Sequence, residues 1–103
     1  MTVRFKGKSL EIGGKMYVFP PLSLGSIESH GDNLVKLGNV SIIEQAKIAI
    51  DVAFDSLRRN YPEIKREEVA DMIDLGNFQE VINTVMLVSE MTTAKKDGEE
   101  SGE

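Results

Sequence analysis

The chain has one histidine, His30, in the run Ser29-His30-Gly31-Asp32-Asn33, with Ser26 one turn earlier. Histidine beside a carboxylate is the material of a general base, and a serine would be the nucleophile it activates. A working dyad needs the imidazole held against the hydroxyl, and no G-x-S-x-G elbow presents either serine that way. We read His30 as a surface histidine. Asp71 and Asp74, three apart, read as solvated carboxylates beside a helix end. Gly25 and Gly31 match neither dinucleotide nor P-loop spacing. Arg58-Arg59 and Lys65-Arg66 place four cations around Tyr61; they suit a phosphate, but Glu63, Glu67 and Glu68 stand beside them and are the expected partners. There is no cysteine, hence no disulfide, thiol nucleophile or cysteine-based zinc site. One histidine and scattered carboxylates make no metal site. The residues point to no enzyme and no cofactor.

Composition sets the frame for these residues. The chain has 103 residues, 41% apolar and 28% charged, enough for one globular domain with a modest core. A net charge of -5 argues against a nucleic-acid partner. No apolar run has the length of a membrane span, and no signal-peptide core is present, so the expected location is the cytoplasm.

The elements follow from local signals. Residues 2–19 read as strand, with alternation on both sides of Gly13-Gly14, a pair suited to a hairpin turn. A two-residue loop would pair Leu10 with Tyr17. A three-residue loop through Lys15 would pair Ile12 with Met16 and Leu10 with Val18, and this register is favoured because it matches apolar faces. A lone hairpin is marginal in water. It must cover helices or pair with a second chain along its edge, giving a homo-oligomer; the cover is favoured.

Pro20-Pro21 ends the strand, and Ser23 is an N-cap candidate for a helix carrying Leu24, Ile27, Leu34 and Leu37. Ser29 to Asn33 is a poor helix interior, so one weakened helix or two short pieces are expected. Ser41-Ile42-Ile43-Glu44 is a capping box opening a helix to about Arg59. Its broad apolar sector holds Ile42, Ile43, Ala46, Ala49, Ile50, Ala53, Phe54 and Leu57. Ile48 and Val52 fall outside that sector.

Residues 58–91 then carry a helix end, an Asn60-Tyr61-Pro62 connection, a short helix with Val69, Met72 and Ile73 on one face, a Gly76-Asn77 break and a final helix over 78–91. Asn77 with Glu80 suits an N-cap with a reciprocal partner. Phe78, Val81, Ile82, Val85, Met86 and Val88 form the last helix's main stripe, and Leu87 and Met91 lie opposite it. Residues 92–103 lack apolar periodicity and are acidic, as in a disordered tail. The fold expected is α+β and mostly α, an N-terminal β-hairpin followed by three to four helices, in a single domain over 1–91.

Several stretches together resemble the small tail assembly chaperones of long-tailed, siphovirus-like phages and prophages. Residues 13–24, GGKMYVFPPLSL, are similar to that family's strand-to-helix opening. Arg59-Asn60-Tyr61-Pro62-Glu63-Ile64, Glu67-Glu68-Val69 and Asp74-Leu75-Gly76-Asn77 are similar to its helix connections, and Phe78-Gln79-Glu80-Val81 to the start of its last helix. The match runs in order over most of the chain, each piece being short; the stretch from Ser29 to Asn33 departs from it. The resemblance implies a non-enzymatic partner of the tape measure protein in the host bacterial cytoplasm, with the tail tube protein a further candidate partner. It also implies a longer product by ribosomal frameshifting, for which Lys95-Lys96 is a compatible site. A tape measure chain exposes long apolar helical faces until the tube encloses it. Ile48, Val52, Leu87 and Met91, the apolar residues off the main stripes, are the expected contacts. A protein–protein adaptor with no tail role is the alternative.

Overall fold

Both turn glycines take positive φ, 61° at Gly13 and 82° at Gly14. Two such residues close a hairpin by themselves, because that turn's twist matches the twist of the strands. In the computed structural model, which describes residues 5–89, strand β1 (Lys8–Ile12) therefore runs antiparallel to β2 (Lys15–Phe19) through a two-residue loop. Leu10 faces Tyr17, and Ile12 faces Lys15. The favoured three-residue register is corrected: the inner face takes Tyr17 and Phe19 in place of Met16 and Val18. Phe19 is fully buried and Met16 is 59% exposed. The register that buries the Phe19 ring and half-buries that of Tyr17 removes more apolar area from water.

The inner face of the hairpin covers α2 (Ile42–Leu57) and α4 (Phe78–Val88). Between hairpin and α2 come α1 (Leu24–Val35) and a short 3-10 turn (Leu37–Asn39), and α3 (Arg66–Met72) connects α2 to α4. The hairpin followed by four helices is the α+β, mostly helical architecture expected. The proposed tail at 92–103 lies outside the described residues.

Helix α1 is continuous through the Ser29 to Asn33 stretch. Ser23 caps it, its hydroxyl accepting from Ser26 N–H at 3.1 Å. Leu34 anchors its far end in the core, and Asp55 of α2 holds both Ser26 and His30. Such tertiary contacts override a weak local propensity.

Helix α2 sits at the centre, touching α1, α3, α4 and β2. Ser41 caps it through Glu44 N–H at 3.2 Å. Two ridges spaced by four residues are buried: Ile48, Val52 and Ser56, and Ala49, Ala53 and Leu57. Ser56 donates to the carbonyl of Pro20 at 2.8 Å, which satisfies its buried hydroxyl.

The connection after α2 is stitched to the hairpin. Asn60 is fully buried. Its Oδ1 accepts from Phe5 N–H at 2.7 Å, and its Nδ2 donates to the carbonyls of Phe5 at 3.0 Å and Val18 at 3.4 Å. The Tyr61 hydroxyl accepts from Val18 N–H at 3.0 Å. The outward polar groups of β2 at Val18 are thereby occupied.

Candidate functional site

His30 does not turn to Asp32. Its Nε2 lies 2.7 Å from Oδ2 of Asp55, and Ser26 Oγ donates to the same oxygen at 3.2 Å. Arg58 approaches the other oxygen at 3.4 Å. Serine and imidazole thus converge on one carboxylate, and neither is held against the other. A nucleophilic serine needs the base at its own hydroxyl. The geometry is that of a polar tie between α1 and α2.

The four cations around Tyr61 are also redistributed. Arg58 pairs with Asp55, and Arg66 pairs with Asp51 at 2.7 Å. Arg59 donates to the carbonyl of Pro21 and lies over the Phe5 ring, 4.1 Å from its centroid. The expected pairing with Glu63, Glu67 and Glu68 is corrected for the arginines: Asp55 takes Arg58 from one helical turn away, Asp51 takes Arg66 from 15 positions away, and Arg59 turns to the hairpin side. Among the described residues no group of three or more potential ligands could hold a metal ion, and no helix is long and apolar enough to cross a membrane.

The four expected contact residues do not form one surface. Ile48 and Val52 are buried, 5% and 0% exposed, and are corrected from surface to core. A helical wheel assumes cover on one side, whereas α2 is packed against α1, α3, α4 and β2. Leaving both side chains in water would forgo about 3–6 kcal/mol, twice the usual value for one such residue. Leu87 is 42% exposed on α4, where the pattern placed it. Met91 lies outside the described residues.

A different apolar surface stands open. The first turns of α2 project beyond the core, leaving Ile42 52% and Ile43 78% exposed. Facing Ile42 is the turn between α3 and α4. There Asp74 Oδ1 accepts from the N–H groups of Gly76 at 2.8 Å and Asn77 at 3.0 Å. Asn77 does not act as the side-chain cap expected; its Oδ1 accepts from Asp74 N–H and its Nδ2 donates to the Met72 carbonyl. This mutual clasp ends α3 four residues before Gly76 and turns Leu75 outward, 72% exposed.

Between the two lies a groove of about 200 Å³. Ala46 and Ile50 form one wall, Ile73 and Phe78 the other, with Ile42 and Leu75 at the mouth. Ala46 supplies the depth, since a larger side chain there would fill it. Asp74 is the only charged residue in the lining, and its Oδ1 is already taken by backbone N–H groups. The volume falls below the roughly 300–1,000 Å³ of small-molecule sites and suits one or two apolar side chains of a larger partner. Sequence periodicity missed the groove because Leu75 sits in a turn, outside any helical stripe; its signal was an apolar residue inside an otherwise polar Asp-Leu-Gly-Asn run. No family model, curated protein or solved structure matches the chain.

Proposed function

We propose that this protein is a tail assembly chaperone of a siphovirus-like phage or prophage, binding the tape measure protein in the host bacterial cytoplasm and keeping it soluble until the tail tube encloses it. The observation that carries the reading is the apolar groove between the start of α2 and the Leu75 turn. Leu75 stands exposed at its mouth, and Ile43, next to the lining residue Ile42, is exposed on the first turn of α2. A helix that lays an apolar face into a groove anchors by side chains spaced three and four apart. A long target offers many such faces, so modest affinity per copy would suffice when several copies bind along it. The ordered motifs from Gly13 to Val81 support the same reading, and two of them have structural roles here: Asp74-Leu75-Gly76-Asn77 builds the groove's mouth, and Tyr61 ties the helices to the hairpin.

Co-expression with the tape measure protein from the same genome tests the reading. The native chain should raise the soluble fraction of that protein and co-purify with it. The variant Ile43→Glu/Leu75→Glu, altered only at exposed positions, should stay folded and lose the complex. A tape measure protein that neither dissolves nor co-purifies with the native chain would overturn the chaperone role. Undiminished binding by the variant would overturn the groove. Intact mass of the products from the native gene gives an independent check, since the frameshift reading requires a minor longer species diverging near Lys96.

A further inference from the structure

A second groove, of about 480 Å³, lies between the hairpin and α3. Tyr17 of β2 and Tyr61 of the connection meet there edge to face, ring centroids 5.8 Å apart. Around them stand three carboxylates, Glu63, Glu68 and Asp71. Their excess charge has a structural cause. Arg58 and Arg66 are drawn away by Asp55 and Asp51 of α2, and Lys65, between Glu63 and Glu68 in the sequence, makes no ion pair with either. Glu63 and Asp71 have no hydrogen-bonding or ionic partner among the described residues. Glu68 uses one oxygen to accept from Lys65 N–H at 2.8 Å.

A separate observation shows what such a groove accepts. The one cation in its lining, Lys15, sets its ammonium 5.5 Å from the centroid of the Tyr17 ring. The chain's own lysine thus occupies a cation–aromatic position at the groove's edge and leaves the carboxylates beyond it uncompensated. The alternatives fit less well. Phosphate groups of a nucleic acid or an anionic lipid would be repelled by the carboxylates. A divalent ion would need ligands converging on one point, and no such group occurs among the described residues.

We propose that this groove binds a lysine- or arginine-bearing segment of a protein partner, the aromatic pair receiving the side-chain stem and cation while Glu63, Glu68 and Asp71 balance its charge. The site is separate from the apolar groove. Glu68 and Asp71 lie roughly 140–160° round α3 from Ile73, which lines the apolar groove. It does not depend on the partner being a tape measure protein.

The test is titration of the full chain with an acetylated and amidated Ala/Lys peptide, followed by amide chemical shifts, with an Ala/Glu peptide as control. The Lys peptide should shift resonances at Tyr17, Tyr61 and Met72, and the Glu peptide should not bind. Glu63→Gln/Asp71→Asn should weaken binding roughly tenfold, as loss of close charge complementarity does. Glu28→Gln/Asp32→Asn removes the same net charge from exposed positions on α1 and should change affinity by no more than about twofold. Lys15→Ala, which vacates the position over Tyr17, should strengthen binding. Equal weakening by the two double variants would reduce the effect to net charge and overturn the site, as would shifts spread over all acidic surfaces. Loss of peptide binding in Ile43→Ala/Leu75→Ala would place the contact in the apolar groove and overturn this assignment while leaving the chaperone reading standing.

Discussion

Asn60 clasps Phe5 through both polar groups of its backbone, accepting from its N–H at 2.7 Å and donating to its carbonyl at 3.0 Å. One buried side chain thereby stands in for a neighbouring strand and joins the segment before β1 to the connection after α2, 55 positions away. Removing it withdraws three hydrogen bonds from partly buried backbone at Phe5 and Val18. Asn60→Ala should destabilise the fold by about 2–3 kcal/mol, the net worth of three hydrogen bonds made by one buried side chain. Asn60→Asp, which keeps the acceptor and loses both donors, should be at least as damaging because it buries a charge. Urea unfolding followed by far-UV circular dichroism measures both. A loss under about 0.5 kcal/mol would place the clasp among the expendable surface contacts.

Ile48 and Ile43 separate core from surface on a single helix. Ile48 is 5% exposed and Ile43 78%. Ile48→Ala should cost about 2–4 kcal/mol, the range for a truncated core side chain. Ile43→Ala should change stability by no more than about 0.5 kcal/mol and should weaken partner binding. The reverse order of stabilities would restore the helical-wheel assignment that placed Ile48 on the surface.

Three glycines make distinct demands. Gly13 and Gly14 have positive φ with open space where a Cβ would stand, so only the backbone is at issue. Gly13→Asn should fold within about 0.5 kcal/mol of the native chain, since Asn-Gly suits this turn, whereas Gly14→Val should lose about 1–3 kcal/mol to strain. Gly7 is limited by space: a Cβ there would lie 2.1 Å from the carbonyl oxygen of Phe19, on backbone that cannot turn aside. Gly7→Ala should cost about 2–3 kcal/mol through forced displacement. Thermal unfolding of the three variants orders them, and a Gly7→Ala variant as stable as Gly13→Asn would mean that the segment before β1 is not held against Phe19.

What could be read beforehand divides along the range of the interactions. The Gly13-Gly14 turn, the Ser41 cap and the spacing of Val81, Ile82 and Val85 are local signals, and each element stands where they placed it. Features that join distant elements were not legible. The burial of Ile48 and Val52 depends on α2 being packed against four other elements, which its own wheel does not encode. The ion pair of Arg66 with Asp51 and the contact of His30 with Asp55 span 15 and 25 positions. The apolar groove depends on Leu75, a turn residue whose outward position follows from the clasp between Asp74 and Asn77.

The last prediction concerns how α1 is held. Only Leu34 of α1 is buried below a tenth of its surface, so apolar packing secures mainly one end. The middle is held by Asp55, whose side chain is 15% exposed and gathers Ser26, His30 and Arg58. Partial exposure reduces what such a pair is worth, yet three partners on one carboxylate keep the total above that of a surface ion pair. Asp55→Ala should therefore destabilise the protein by about 1–2 kcal/mol, with a loss that is uneven along the chain. Amide hydrogen exchange should show α1 between Ser26 and Asn33 opening first, with α4 keeping nearly native protection, because stability is distributed over cooperative segments. Equal loss of protection in α1 and α4 would show that Asp55 supports the whole core, and that α1 is fixed by its packing and not by this polar tie.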